Sequence, residues 1–186
     1  MRLPTSLARL AAAGLLWFAG AVGADQDAAV LDGLFERLAQ AETARAASRI
    51  ESEIWQAWLE PPSAAAGALV MQIEGAIRLR QIEQALSVSD VLVERFPDYA
   101  EAWNKRATVR YLAGDPDGSV ADIERTLELE PRHFGAISGL GLIFLRQDDL
   151  VGALSAFEAV LALSPASRSA RDGVERVRAR MQDSDI

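Results

Sequence analysis

A period of 34 residues constrains this chain more than any other feature. Pro97, Pro131 and Pro165 recur at that interval, as do Ala85, Ser119 and Ala153, and Leu69, Trp103 and Ile137. Self-similarity at this spacing marks an array in which each unit is one supersecondary element, too small to bury its own apolar face, so neighbours must stack to make a core. Leu and Ala dominate the apolar half of the sequence and β-branched runs are scarce. The expected class is therefore all-α.

One unit shows how each repeat is built. Between Ala100 and His133 a helical run from Ala102 to Leu112 gives way to Gly114-Asp115-Pro116-Asp117-Gly118, then to a second run ending at Leu129 and Pro131. Gly tolerates left-handed backbone, Asp caps the next helix and proline ends the second one, so the unit reads as two antiparallel helices.

On these residues the chain resembles the tetratricopeptide repeat family. The copy at 134–167 carries the family pattern most fully, with Ile137, Leu140, Gly141, Phe144, Ala153, Phe157, Val160 and Pro165. The copy at 100–133 offers Trp103, Ala107, Ser119, Ile123, Thr126 and Pro131 but places Arg106 and Arg110 where Leu and an aromatic residue are usual. The copy at 66–99 keeps Leu69, Ala85, Leu92 and Pro97, and departs at Gln72, Ile73 and Ala76. The resemblance implies a right-handed superhelical α-solenoid whose first helices line a concave, protein-binding face. It assigns Glu101, Asn104, Lys105, Thr108, Tyr111 and Leu112 to that face in the middle repeat. Val70, Met71, Glu74, Ile77 and Arg78 come from the first repeat, and Ser138, Leu142, Leu145 and Arg146 from the third. Some family members grip a C-terminal carboxylate with Asn and Lys from two neighbouring repeats, whereas here only Asn104 and Lys105 of the middle repeat supply that pair.

The segments around the array have their own signatures. At 1–24, Arg2 and Arg9 precede an uncharged stretch from Leu10 to Val22, and Val22-Gly23-Ala24 supplies small residues before Asp25. This is the layout of a secretory signal peptide, and the stretch falls short of the ~20 residues of a spanning helix. The expected location is the periplasm, with an uncleaved anchor as the alternative. No cysteine is present, so thiolate metal sites and lipid attachment at cysteine are ruled out. A net charge of −8 makes general binding to nucleic acid or anionic membrane a poor fit.

Within 25–62, Leu31, Leu34, Phe35 and Leu38 share one helix face, and Ile50, Ile54, Trp55, Trp58 and Leu59 form a second stripe that Pro61-Pro62 stops. Either Thr43 or a Ser48-Arg49-Ile50-Glu51 box could start that second helix. The pair is expected to form a hairpin covering the open end of the solenoid. At 168–186, Val174 and Val177 lie opposite Arg168, Arg171, Arg176, Arg178 and Arg180, as expected of a solvating final helix.

No catalytic constellation accompanies these helices. The lone histidine, His133, has no nucleophile elbow with it and reads as a turn residue whose ring packs or caps. Asp115-Pro116-Asp117-Gly118 lacks the further ligands of a calcium loop and reads as a capping turn. No cofactor is expected. Arg106 and Arg110, replacing packing residues, require buried partners, for which Asp122, Glu124, Glu94 and Glu74 are the candidates. The functional expectation is a non-catalytic adaptor binding a protein or peptide in its groove. The alternative is a structural subunit of an envelope complex that associates through its terminal helices.

Overall fold

A computed structural model describes residues 26–184, all of whose regular elements are helices. They are α1 (Gln26–Ala39), α2 (Ala44–Leu59), α3 (Ala64–Arg78), α4 (Ile82–Arg95), α5 (Ala100–Ala113), α6 (Pro116–Leu129), α7 (Phe134–Arg146), α8 (Leu150–Leu163) and α9 (Arg168–Ser184). The signal peptide expected at 1–24 lies outside the described residues.

Side-chain caps fix most of the helix starts. The Asp115 carboxylate accepts from the Gly118 amide at 2.9 Å ahead of α6, and Asp149 does the same with Gly152 at 2.9 Å ahead of α8. Ser63 caps α3, and Thr43, not the Ser48 box, caps α2. The turn inside each repeat contains one left-handed residue: Arg80 (φ 58°), Gly114 (φ 83°) and Asp148 (φ 63°). These three positions keep the 34-residue interval, so the first repeat, faintest in sequence, makes the same turn as the others. Only the middle copy uses glycine, the residue that adopts this conformation without steric cost.

The pairs α3–α4, α5–α6 and α7–α8 stack in sequence. The first helices α3, α5 and α7 touch one another, forming an inner layer that α9 extends by packing on α7 and α8. Ile73, Leu92 and Val109 fill the junction of the first two repeats, Ala107, Ile123, Leu140 and Ile143 the next, and Phe157 with Val174 and Val177 the last. On α9, Arg178 pairs with Glu158 (3.3 Å) and Arg180 with Asp148 (2.6 Å), holding the last helix to α8 and to the α7–α8 turn.

Arg106 and Arg110 converge on one buried carboxylate. Arg106 bonds Asp122 through two nitrogens (2.9 and 2.7 Å) and Asp90 at 3.0 Å, while Arg110 reaches Asp122 at 3.2 Å and the Gly118 carbonyl at 3.0 Å. The bonds from Asp122 raise the Arg106 pKa further above its ordinary value despite the opposing effect of burial. Asp122 was among the expected partners; Asp90, on α4, joins the middle repeat to the first.

The hairpin α1–α2 does not cover the open end of the first repeat. It lies along the edge where each second helix turns into the next first helix, packing Leu34, Phe35, Leu38, Ile50, Ile54 and Trp58 against Phe134, Val160, Ala166 and Ala170. Arg132, in the α6–α7 turn, reaches Asp32 on α1 at 2.6 Å and stands 4.4 Å from the Phe35 ring centroid, and Ser164, in the α8–α9 turn, donates to Glu51 on α2 at 2.9 Å. The reason is complementarity: the turns preceding α7 and α9 expose aromatic and small apolar residues that match the α2 stripe. Each large side chain buried there contributes about 1.5–3 kcal/mol. Leu79 and Val91, in the first repeat, stay exposed.

Asp122→Asn is expected to leave two guanidinium groups without their shared charge and to cost about 3 kcal/mol, read as a lower urea midpoint at constant slope. Arg80→Gly relieves a left-handed backbone strain and should raise stability by about 0.5–1 kcal/mol; no gain in midpoint would mean that the turn tolerates arginine without strain.

Candidate functional site

The inner layer of α3, α5 and α7 divides into two halves. At the N-terminal end of α5, Glu101 is only 2% exposed. One of its oxygens accepts from Asn104 Nδ2 at 2.8 Å and faces His133 Nε2 at 3.2 Å, and the other lies 3.5 Å from Lys105 Nζ. Lys105 also bonds Glu74 on α3 at 2.8 Å. Burial opposes the Lys105 charge, but Glu74 and Glu101 outweigh it and hold the pKa above the ordinary lysine value.

His133 completes this node. Its Nδ1 accepts from the Ala136 amide at 3.1 Å, capping α7, so the ring proton sits on Nε2 and is donated to Glu101. The fully buried ring stacks on Trp58 at 4.1 Å and 10°, and Trp55 packs edge-on to both at 5.4 and 5.5 Å. Trp55 also abuts Gly135, where a Cβ would come within 2.5 Å of its ring, so only glycine admits the hairpin there. Asn104, Lys105 and Glu101 are thus engaged within the chain and covered at this end by α2. Two polar atoms nearby, Trp58 Nε1 and Tyr99 Oη, are buried without a partner.

The other half is open. Leu112 and Leu142 are 48% and 42% exposed, and Arg78 stands in the last turn of α3 with no carboxylate in ion-pair range among the described residues; Met71, one repeat before Lys105, is also exposed at 66%. Thr108 is exposed, its hydroxyl donating to the Asn104 carbonyl at 3.0 Å. Arg146 stands 5.4 Å from the Tyr111 ring centroid. Tyr111 and Arg146, with Gly114, Pro116, Ile143 and Gln147, line a cavity of about 210 Å³. Of the expected face residues, Arg78, Thr108, Tyr111, Leu112 and Arg146 therefore share the open half, and Glu101, Asn104 and Lys105 the locked one. Sequence reading took Gly114 to Gly118 as a capping turn and assigned neither it nor Gln147 to the face, because these lie beyond the helix positions that the repeat pattern gives to it. Among the described residues no group of three or more His, Cys, Asp or Glu is arranged to hold a metal ion, and no helix is long and apolar enough to cross a membrane.

The family model described as tetratricopeptide repeat matches residues 105–168. A TPR repeat-containing protein of Rhizobium etli is 38% identical over 144 residues, spanning 77% of this chain and 71% of that protein. The chain belongs to the tetratricopeptide repeat family. Solved TPR domains share its fold at low identity. The Sgt2 TPR domain of Aspergillus fumigatus superposes with a TM-score of 0.62 at 19% identity, covering 67% of this chain and 84% of that one. The second TPR domain of human RPAP3, solved in complex with an HSP70 peptide, gives 0.56 at 18% over 61% and 94%. A TPR domain of yeast Sti1 in complex with pHsp70 gives 0.58 at 16% over 66% and 99%.

The Tyr99 phenol generates a prediction. Burial first, then Glu101, Glu60 and Glu74, push its pKa well above the ordinary 10.0. Above pH 10.0 the unfolded chain releases this proton while the folded chain keeps it, so stability falls as pH rises, and the raised Lys105 adds the same sign. Tyr99→Phe should flatten that alkaline loss and, by removing an unpartnered hydroxyl, be neutral or stabilising by up to about 1 kcal/mol at pH 7. Thermal melts from roughly pH 8 to 11 check both; a variant as steep as the parent would show that the phenol does not contribute.

Proposed function

We propose that this TPR solenoid is a non-catalytic adaptor that takes a segment of a partner protein on the open half of its concave face, and that it acts in the periplasm. The observation that carries the reading is the exposure of Met71, Leu112 and Leu142 on α3, α5 and α7, with Arg78 and Arg146 one repeat to either side of Leu112, on a layer of packed helices. Apolar side chains supply contact area, and charged groups at the margin fix register. TPR domains of the same fold have been solved with HSP70 peptides, which supports peptide binding as the mode of action. The leader-like residues 1–24 support export. His133 has both ring nitrogens engaged in structural bonds, which fits a role without chemistry.

Association through the tryptophan-bearing hairpin is the weaker reading, since Trp58 is buried against His133 and Phe134. Substituting Asn104 or Lys105 would disturb the Glu101 node, so the test uses exposed positions instead. A randomised peptide-display library panned on the full chain should yield binders that lose about tenfold or more in affinity, 1.4 kcal/mol, against the Leu112→Asp/Leu142→Asp variant. Circular dichroism of that variant should be unchanged. Binders indifferent to both substitutions would place the binding surface elsewhere.

A further inference from the structure

We propose that the notch between Tyr111 and Arg146 is an anchor for a carboxylate side chain of the partner, an Asp or Glu within an otherwise apolar segment. This rests on the concave-face reading above and assigns the chemistry of its ligand. The notch is formed where the last turns of α5 and α7 meet the α5–α6 turn, and its volume of about 210 Å³ is several times the ~30 Å³ share of a water molecule.

The donors in the notch are all side chains. Around it the Gly114 amide is taken by the Tyr111 carbonyl at 3.1 Å and the Asp115 amide by the Arg110 carbonyl at 2.9 Å, and Pro116 has no N–H. The end of α5 is thereby capped, and those two carbonyls are occupied by internal donors. What remains to meet a ligand is the Arg146 guanidinium, the Tyr111 hydroxyl and the Gln147 amide. A cation flanked by two neutral groups able to donate selects an anion with two acceptor oxygens.

The placement of Arg146 suits that role. Its guanidinium stands over the Tyr111 ring, and no carboxylate lies in ion-pair range of it among the described residues, in a chain with 27 acidic and 19 basic side chains. A guanidinium held beside a ring can still offer its N–H edge for bidentate bonding. Carboxylates of the two adjoining turns have partners of their own: Asp115 the Gly118 amide at 2.9 Å, Asp148 Arg180 at 2.6 Å and Asp149 the Gly152 amide at 2.9 Å. Nothing local competes for the charge. Leu112 and Leu142, exposed on the same two helices, supply apolar surface for the flanking residues of the segment. The anchor is separate from the Asn104–Lys105 pair, which Glu101 already holds.

The test is an NMR titration of the ¹⁵N-labelled full chain with the blocked peptide acetyl-Ser-Leu-Leu-Glu-Leu-Ser-amide, its Gln counterpart, and the Gln peptide with a free C-terminal carboxylate. The expected result is shifts centred on Gly114 and Gln147, with the blocked Glu peptide binding at least about tenfold tighter than the blocked Gln peptide. Arg146→Gln should erase that difference while leaving the melting temperature unchanged. Equal affinity for the two blocked peptides, with shifts on Leu112 and Leu142, overturns the anchor and leaves the groove reading standing. Preference for the free terminus over the Glu side chain overturns it as well. Absence of shifts anywhere on the inner faces of α3, α5 and α7 overturns both.

Discussion

The contact on which most of this structure depends is the stack of His133 on Trp58 above the buried Glu101. One imidazole caps α7 through one nitrogen, neutralises part of the desolvation cost of a carboxylate through the other, and presents its face to the hairpin. Glu101 in turn orders Asn104 and Lys105, and Lys105 reaches across to Glu74 on α3. A turn, two repeats and the N-terminal hairpin therefore share a single set of bonds. A carboxyl group so deeply buried is tolerated only when its oxygens are satisfied, and Glu101 has partners on both.

A second buried carboxylate does the equivalent work on the outer side of the middle repeat. Asp122 accepts from both arginines that interrupt the family pattern, and Arg106 extends the bond to Asp90 on α4 while its guanidinium stands 4.9 Å from the Trp103 ring. Arginine thus replaces apolar packing there without leaving a charge unpaired. The middle repeat is bound to its neighbours by buried ion pairs as well as by hydrocarbon, whereas in the last repeat Phe157, Val174 and Val177 form the core and the ion pairs to α9 lie at the surface.

Much of this was legible in the sequence because repeat periodicity is a local property. The aligned prolines, the small residues and the turn chemistry fixed helix pairs, and the need to neutralise two misplaced arginines gave four candidate carboxylates, of which Asp122 is a partner while Asp90 was not among them. The location of the hairpin was not legible. Its stripe of Ile50, Ile54 and Trp58 says which face must be buried, but not against which surface, and the answer depends on Phe134 and Ala166, about a hundred residues away in several contacts. The division of the concave face has the same origin. Glu101 and His133 lie 32 residues apart, and nothing in either local pattern announces that they meet. The repeat pattern therefore offered Asn104 and Lys105 as ligand contacts while missing that both are already engaged within the chain.

The hairpin laid along the turns has a mechanical consequence. An α-solenoid resembles a spring, each repeat free to rotate slightly on the next. Here α1 is fastened to the α6–α7 turn by Arg132 and α2 to the α8–α9 turn by Ser164, with α2 also meeting α5. Stretching the coil would part those turns and break the fastenings, so the hairpin acts as a splint that fixes the pitch. A groove of fixed curvature would lose little freedom on closing around a ligand.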